Sequence, residues 1–306
     1  MHMNKTIIIL GPTAIGKTDI SIKLAKILNA EIISSDSVQI YKHMDIGSAK
    51  PSKEEQKAVK HHLIDIKEPN ETFSSGEFVE KVNEILRKLK EKRTNAIIVG
   101  GGGFYIDSLV FGLDKIEPID EKVKIFFDDI CEEFSSRYLY NFLKIIDEKW
   151  ANKIAQNDCQ RIKRGLSVYI SSKKEISSFF SNDKKIDDRF LIFVLYASRE
   201  FINKRIEKRV DLMLEKGLIE EVRRLVEMGY ADTNALKSIG YKETLQYLSK
   251  ELDKNKLSDL IKKNTKAYAK RQLTLLKSRF KNNAIWIDIE KEDGLQAILS
   301  ACKPYL

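Results

Sequence analysis

Thr6-Ile7-Ile8-Ile9-Leu10-Gly11-Pro12-Thr13-Ala14-Ile15-Gly16-Lys17-Thr18 is the stretch that decides the fold. An apolar run, the mark of a buried strand, leads straight into G-x-x-x-x-G-K-T. The residues that follow, Ile20, Ile22, Leu24, Ala25, Ile27 and Leu28, keep helical spacing. Strand, glycine loop and helix in that order make a phosphate cradle. Backbone N–H groups from Gly11 to Gly16 converge on phosphate oxygens, Lys17 adds a point charge, and the Thr18 hydroxyl is placed to ligate Mg²⁺. A plain glycine turn is the competing reading, and it leaves the correct flanks on both sides unexplained. The loop alone does not choose its ligand, because nucleotides such as ATP and prenyl diphosphates both present a diphosphate.

Working outward, Glu31-Ile32-Ile33-Ser34 reads as a second strand that ends at Ser35-Asp36-Ser37-Val38-Gln39-Ile40-Tyr41. An acidic residue at a strand's carboxyl end faces the phosphate crevice, so Asp36 is a candidate Mg²⁺ partner or general base, with a turn or N-cap aspartate as the plainer alternative. Ala96-Ile97-Ile98-Val99 is a third strand, followed by Gly100-Gly101-Gly102-Gly103-Phe104-Tyr105. Those glycines permit close approach of a ligand, and a flexible turn looks the same. Phe190-Leu191-Ile192-Phe193-Val194-Leu195-Tyr196 is a fourth strand, and the chain from Pro118 to Asp188 before it is helical and polar. The pattern predicts an α/β fold: a P-loop NTPase-like parallel sheet core flanked by helices, built from residues 1–117 and 189–306, with an all-helical domain, 118–188, inserted between two strands. The Ser/Lys/Asp-rich return from Ser177 to Asp188 reads as a linker.

With 306 residues and a hydrophobic fraction of 42%, the chain can supply a full core plus an inserted part. No apolar run approaches a membrane span, and Met1-His2-Met3-Asn4-Lys5 does not resemble a signal peptide, so a cytoplasmic protein is expected. Cys131, Cys159 and Cys302 are far apart and odd in number, which argues against a disulfide framework and against a zinc cluster. His61 and His62 are adjacent, and neighbours on a strand point to opposite faces, which makes them a poor metal pair. The net charge is +9, and residues 199–282 hold 21 Lys+Arg against 12 Asp+Glu, so the whole excess lies there. A charged helix face is usually just solvated. Within this part Lys263, Lys266, Lys270 and Lys277 recur at helical intervals, a cationic stripe that suits a nucleic-acid backbone.

Taken in order, several motifs converge. Gly11-Pro12-Thr13-Ala14-x-Gly16-Lys17-Thr18 is followed by Asp36-Ser37-x-Gln39-Ile40-Tyr41-x-x-Met44-Asp45-Ile46-Gly47-x-Ala49-Lys50-Pro51 and by His61-His62-Leu63-Ile64-Asp65. Then come Val99-Gly100-Gly101, Asn157-Asp158-x-Gln160-Arg161, Gly217-Leu218-x-Glu220-Glu221-Val222, Ile239-Gly240-Tyr241-Lys242 and Lys270-Arg271-Gln272-Leu273-Thr274. This ordered set, spanning nearly the whole chain, resembles the tRNA dimethylallyltransferases. The resemblance implies transfer of a dimethylallyl group from dimethylallyl diphosphate to N6 of adenosine 37, beside the anticodon, by a monomer that uses Mg²⁺ and no membrane. It further implies a diphosphate site at Gly11, Pro12, Thr13, Ala14, Ile15, Gly16, Lys17 and Thr18, catalysis through Asp36, Thr18 and Lys17, and metal ligation by Thr18 and Asp36. Contacts to tRNA are implied at Asp36, Ser37, Val38, Gln39, Gly102, Lys124, Gln160, Arg161, Ile162, Lys163 and Arg164.

Chemistry supports these roles independently. An exocyclic adenine amine is a feeble nucleophile and needs a base on its proton, for which Asp36 is the candidate. The allylic carbon needs a stabilised leaving group, which the cradle and Mg²⁺ supply. Arg205 and Arg209, four residues apart on the helix after the fourth strand, are candidate clamps for the diphosphate, with an exposed ion-paired face as the alternative. Gln39 has a donor and an acceptor suited to an adenine edge, the base must flip out of the loop to be reached, and Lys266, Lys270 and Arg271 carry the polyanion. The chain departs from the family pattern in places. Gly102 stands where Thr is usual, Leu275 stands where Trp is usual, and Lys277 replaces an Arg. Other classes fit less well. A small-molecule kinase gains nothing from a basic C-terminal part, an adenylate isopentenyltransferase acting on AMP needs no cationic helix, and an RNA-binding GTPase-like switch requires an N-K-x-D motif that the sequence lacks.

Overall fold

The computed structural model describes residues 3–114, 116, 119–133, 135–180 and 185–305, apart from the side chains of 131–133. Pro118 and part of the Ser177–Asp188 return lie outside the described residues. By its internal contacts the chain divides into one unit of Met1–Phe111 with Ile186–Leu306 and a second of Gly112–Lys185.

The first unit is built on a six-stranded parallel sheet in the order β3-β2-β4-β1-β5-β6. Its elements begin with β1 (Thr6–Leu10), α1 (Lys17–Leu28), β2 (Ala30–Ser34), α2 (Lys53–Ala58), β3 (His61–His62), α3 (Ser75–Glu91), β4 (Asn95–Gly100) and α4 (Phe104–Phe111). The second unit contributes α5 (Glu121–Glu133), α6 (Ser136–Ile146), α7 (Glu148–Ala151) and α8 (Cys159–Ser172). The first unit resumes with β5 (Phe190–Tyr196), α9 (Arg199–Glu215), α10 (Leu218–Glu227), α11 (Tyr241–Leu248), α12 (Lys254–Phe280), β6 (Ile285–Asp288) and α13 (Gly294–Cys302).

Strand residues alternate between two cores, one on each face of the sheet. Ile7, Ile9, Ile32, Ile97, Phe193 and Leu195 face a layer that includes α1, α9, α10 and α13, while Ile8, Leu10, Ile33, Ile98, Ile192 and Val194 face α3 and α4. Burial on both faces is why these strands read as continuous Ile/Val/Leu/Phe runs with no polar alternation. Ile27, assigned by spacing to the buried stripe of α1, lies 56% exposed. Two edge strands carry little sequence signal. β3 is only His61–His62, whose rings go to different partners, Val59 O at 2.7 Å and Glu31 Oε2 at 2.5 Å. β6 pairs outside β5.

Helix α12 joins the two layers. Its Leu257, Ile261 and Ala269 belong to the first core, and its Leu276 and Phe280 belong to the second. Between them Gln272, buried, accepts a hydrogen bond from Thr13 N at 2.9 Å. The helix therefore passes the carboxyl ends of the central strands, where the phosphate loop emerges.

The second unit packs Phe127, Leu139, Leu143, Ala151, Ile162 and Leu166 into its own core. Buried Asp147 caps α7, accepting from Trp150 N at 2.9 Å, and also accepts from Ser177 N at 2.8 Å. Cys159 is disulfide-bonded, a correction to the expectation from the cysteine count, and Cys302 is a free, buried thiol of the first unit.

The turn after β4 suits glycine at position 102. Gly102 has φ +79°, and a Cβ there would lie 2.7 Å from Leu276 Cδ2. A β-branched residue is strained in this region of backbone space. Gly102→Thr is expected to lower stability by about 1–3 kcal/mol instead of restoring a lost hydroxyl. Urea unfolding of the two proteins checks this, and an unchanged midpoint would refute it.

Candidate active site

A cavity of about 560 Å³ opens at the carboxyl edge of the sheet. Its walls include Thr13 from the phosphate loop, Ser35, Asp36, Ser37 and Val38 after β2, Gly47 and Ser48, the Gly101–Tyr105 turn, Arg209 and Met213 from α9, and Thr265, Tyr268 and Gln272 from α12. In an open parallel sheet this edge is where loops from neighbouring strands diverge and leave a crevice.

The phosphate loop is held in a resting geometry. Gly16 caps α1 with φ +104°, a left-handed conformation open to glycine, with Arg205 Nη2 only 3.4 Å from where a Cβ would sit. Lys17 Nζ donates to Gly11 O at 2.8 Å and Pro12 O at 2.9 Å. Thr13 N is already engaged by Gln272. An anion entering the loop would have to take over Lys17 from two carbonyls. Although Lys17 as a residue is half-buried, its ammonium lies inside. Burial pushes the ammonium down to about 7, Arg209 pushes the same way, and Asp36 pulls it back. Arg209 is lowered by burial and raised by Asp36, which places the three charges in one electrostatic cluster.

Asp36 sits in an Asx-type turn. Its Oδ1 accepts from Val38 N at 2.8 Å and Gln39 N at 3.3 Å, and its own N–H donates to Ser34 Oγ. Oδ2 has no protein hydrogen bond among the described residues, which leaves one carboxylate oxygen available at the cavity wall. The Thr18 hydroxyl is likewise without a hydrogen bond among the described residues. No group of three or more His, Cys, Asp or Glu that could hold a metal ion exists among the described residues.

The profile of the IPP transferase family matches residues 39–279. The chain belongs to that family. It is 42% identical to the tRNA dimethylallyltransferase of Acetivibrio thermocellus, with 99% of this chain and 98% of that one covered. Identity to the tRNA dimethylallyltransferase of Clostridioides difficile is 40%, over 95% and 94%. The solved tRNA isopentenylpyrophosphate transferase of Bacillus halodurans superposes with a TM-score of 0.71 at 33% identity, over 98% of this chain and 95% of that one. A eukaryotic dimethylallyltransferase acting on tRNA superposes with a TM-score of 0.83 at 27% identity, over 97% and 77%.

Several residues singled out from the sequence take different places than expected. Arg205 and Arg209 take different places: Arg209 lines the cavity, whereas Arg205 donates from Nε to Ala14 O at 2.7 Å and lies over the Phe201 ring, against the loop. Gln39 does not line the cavity. Its Oε1 accepts from Ser34 Oγ at 3.0 Å and its Nε2 donates to Ser48 O and Ala49 O, so both ends of the amide hold the loop and neither is free to read an adenine edge. In the second unit Ile162 is fully buried in the core, which removes it from any surface contact. Lys163 is ion-paired with Asp128 and Lys124 with Glu121, while Gln160, Arg161 and Arg164 are exposed on α8. Arg161 also pairs with Asp158, the N-cap of that helix.

The cationic stripe of α12 faces a groove of about 610 Å³ against α9, lined by Arg199, Glu207, Asp259, Lys262, Lys263, Lys266 and Lys270. Lys266 is half-buried and bonded to Glu207 at 2.5 Å, and Lys262 to Asp211 at 2.5 Å. One charge of the stripe, Lys266, and the neighbouring Lys262 are thus compensated, while Lys263, Lys270 and Lys277 are exposed. Arg271 lies beside the Tyr268 ring at 6.0 Å.

Some cavity residues carry no chemical signal in the sequence. Val210, Met213 and Ile261 look like helix core residues and are distinguishable from them only once α9 and α12 are packed. Gln272, Tyr241 and Glu221 do fall within the ordered motifs, without a role that the spacing can assign.

The depressed Lys17 predicts a pH dependence with a definite sign. A bound diphosphate favours the ammonium, so above pH 7 binding must return a proton to Lys17 and affinity falls as pH rises, by up to about tenfold per unit. Isothermal titration with inorganic diphosphate at pH 8 in buffers of different ionisation enthalpy should show proton uptake. That uptake, beyond what diphosphate itself contributes, should vanish in Lys17→Met. Equal uptake in both proteins would refute the assignment.

Proposed function

We propose that this chain is a tRNA dimethylallyltransferase, transferring the dimethylallyl group of dimethylallyl diphosphate to N6 of adenosine 37 and releasing diphosphate. The observation that carries the reading is one cavity whose walls answer to each part of the reaction: Thr13 and Arg209 on the phosphate side, an available Asp36 oxygen on the acceptor side, and Val210, Met213, Ile239, Ile261 and Tyr268 as an apolar wall for the prenyl chain. Family membership supports the same conclusion.

In this reading the allylic C–O bond breaks with its electron pair leaving on the diphosphate, the N6 lone pair forms the new N–C bond, and the N6 proton passes to Asp36 Oδ2. Lys17 and Arg209 bind the diphosphate and balance the charge it gains. Mg²⁺ fits the donors present: the Thr18 hydroxyl and the Asp36 carboxylate would hold it beside the diphosphate. When bound, the ion spreads the charge that develops on the departing group. The apolar wall and the overlying α12 exclude water from a reacting carbon that hydrolyses easily. N6 is stacked in the anticodon loop, so the base must flip to enter. Lys263, Lys270 and Arg199 on the first unit, and Gln160, Arg161, Arg164 and Lys124 on the second, supply exposed groups for RNA phosphates. The cavity is complete within one chain, which supports action as a monomer, and its tRNA substrate supports the cytoplasm as its place.

The deciding assay incubates the protein with Mg²⁺, labelled dimethylallyl diphosphate and either unmodified tRNA or AMP. Label is expected in tRNA. Uptake by AMP alone, or phosphoryl transfer from ATP without prenyl transfer, would overturn the reading. Asp36→Ala is expected to lower turnover by roughly 10²–10⁴-fold with tRNA affinity retained. Near-parental turnover would remove Asp36 from the role of base.

A further inference from the structure

The acceptor wall of the cavity depends on a buried carboxylate that touches neither substrate. Glu221, on α10 and 2% exposed, forms no ion pair with Lys, Arg or His among the described residues. Its Oε2 accepts from Asp45 N at 2.9 Å and Ile46 N at 2.7 Å, and its Oε1 accepts from Gly47 N at 3.1 Å and from the Tyr241 hydroxyl at 2.8 Å. Three successive backbone N–H groups closing on one anion form a nest, here filled by the protein's own side chain. Charge-assisted bonds of this kind are the strong ones, and a buried carboxylate needs all of them.

The nest is tied to the catalytic turn. Tyr241, fully buried at the start of α11, also accepts from Ser48 N at 3.2 Å, and its ring lies so close to Gly47 that a Cβ there would be 2.5 Å from Cε2. Carbonyls of Ser48 and Ala49 in turn hold Gln39 Nε2, and Gln39 Oε1 takes the hydroxyl of Ser34, which accepts from Asp36 N. One continuous set of hydrogen bonds thus runs from α10 to the backbone of Asp36. Glu243 supports its far end, accepting from Gly240 N at 2.7 Å and Asn264 Nδ2 at 2.6 Å and so fixing where Tyr241 emerges.

We propose that Glu221 is a positioning residue for the acceptor half of the reaction, acting through the 45–49 loop and Gln39 to aim Asp36 and Ser37 into the cavity; this rests on the transfer reading above. The phosphate half is held separately, by Gln272 and Arg205, so loss of Glu221 should damage one half and spare the other. In Glu221→Gln an amide NH₂ necessarily faces backbone N–H donors at one end, which unseats the nest while keeping the side chain's volume. Backbone amides 45–48 should then exchange with deuterium at least about tenfold faster, as expected of a locally released segment. Turnover with tRNA should fall roughly 10–100-fold with a raised KM for tRNA, the usual scale for loss of a residue that orients a reacting group. The Kd for inorganic diphosphate should stay within about twofold, since its binding groups are untouched.

Tyr241→Phe is the second variant, because it removes only the bridging hydroxyl and keeps the ring against Gly47. It should give the same pattern at a smaller, few-fold scale with a thermal midpoint lowered less than in Glu221→Gln, so a Glu221→Gln protein that folds poorly does not end the test. Parental exchange at 45–48 in both variants overturns the proposal, and so does diphosphate binding that weakens in step with turnover. The exchange and diphosphate measurements need no acceptor substrate, so a failure of the tRNA reading leaves them standing and is told apart from a failure here.

Discussion

The amide of Gln272 joins three parts of the molecule that sequence separates widely. It accepts the Thr13 N–H of the phosphate loop, lies where any side chain at Gly101 would have to go, and sits on the helix whose two ends belong to opposite cores. A Cβ on Gly101 would approach its Nε2 to 1.9 Å, so the glycine turn after β4 and the Gln side chain each require the other. The phosphate loop, the turn and α12 are fixed together by that contact, and the cavity is the space they leave. A parallel sheet makes this arrangement available, since it delivers every loop of one edge to the same side and leaves the central strand's loop surrounded.

Electrostatics within that space are set by exclusion of water. Lys17 and Arg209 are both lowered by burial and both face Asp36. Arg209 and the Asp36 carboxylate offset one another in a region of low dielectric, where charge interactions are strong, and Lys17, held at about 7, is poised to take a proton when an anion enters. The pair of carbonyls that hold the Lys17 amine keep it from collapsing onto Asp36. An incoming anion would draw that proton onto Lys17 and leave the Asp36 Oδ2 opposite without a protein hydrogen bond among the described residues.

The two halves of the site are built by different means. On the phosphate side, glycine conformations and one side-chain amide hold a loop of local sequence. On the acceptor side, a short loop is held from a distance by Glu221 and Tyr241, residues far along the chain. Gln39 illustrates the consequence. Its donor and acceptor are the right chemistry for an adenine edge, but the fold turns them inward onto Ser34, Ser48 and Ala49, where they hold the turn that carries Asp36.

By itself the sequence determined the central strands, the phosphate loop, the helical character of the insertion and the family, because each is written in contiguous residues: apolar runs buried on both faces, glycines at loop positions, and motifs in fixed order. It placed Asp36 at the crevice as well, where the residue lines the cavity, since an acid at the end of a strand faces that edge. Only the tertiary structure decided which of two equally spaced arginines lines the cavity, because Arg205 and Arg209 differ in what α1 and the phosphate loop place beside them and not in their own periodicity. The edge strands β3 and β6 were invisible for a related reason: an edge strand is short, half-covered and stabilised by its neighbour. Burial of Ile162 and compensation of Lys266 by Glu207 likewise depend on partners from other helices, and side chains have no partners until helices pack. The role of Glu221 belongs wholly to the fold, for a carboxylate in a polar stretch of helix reads as solvated until a loop from residue 45 is laid across it.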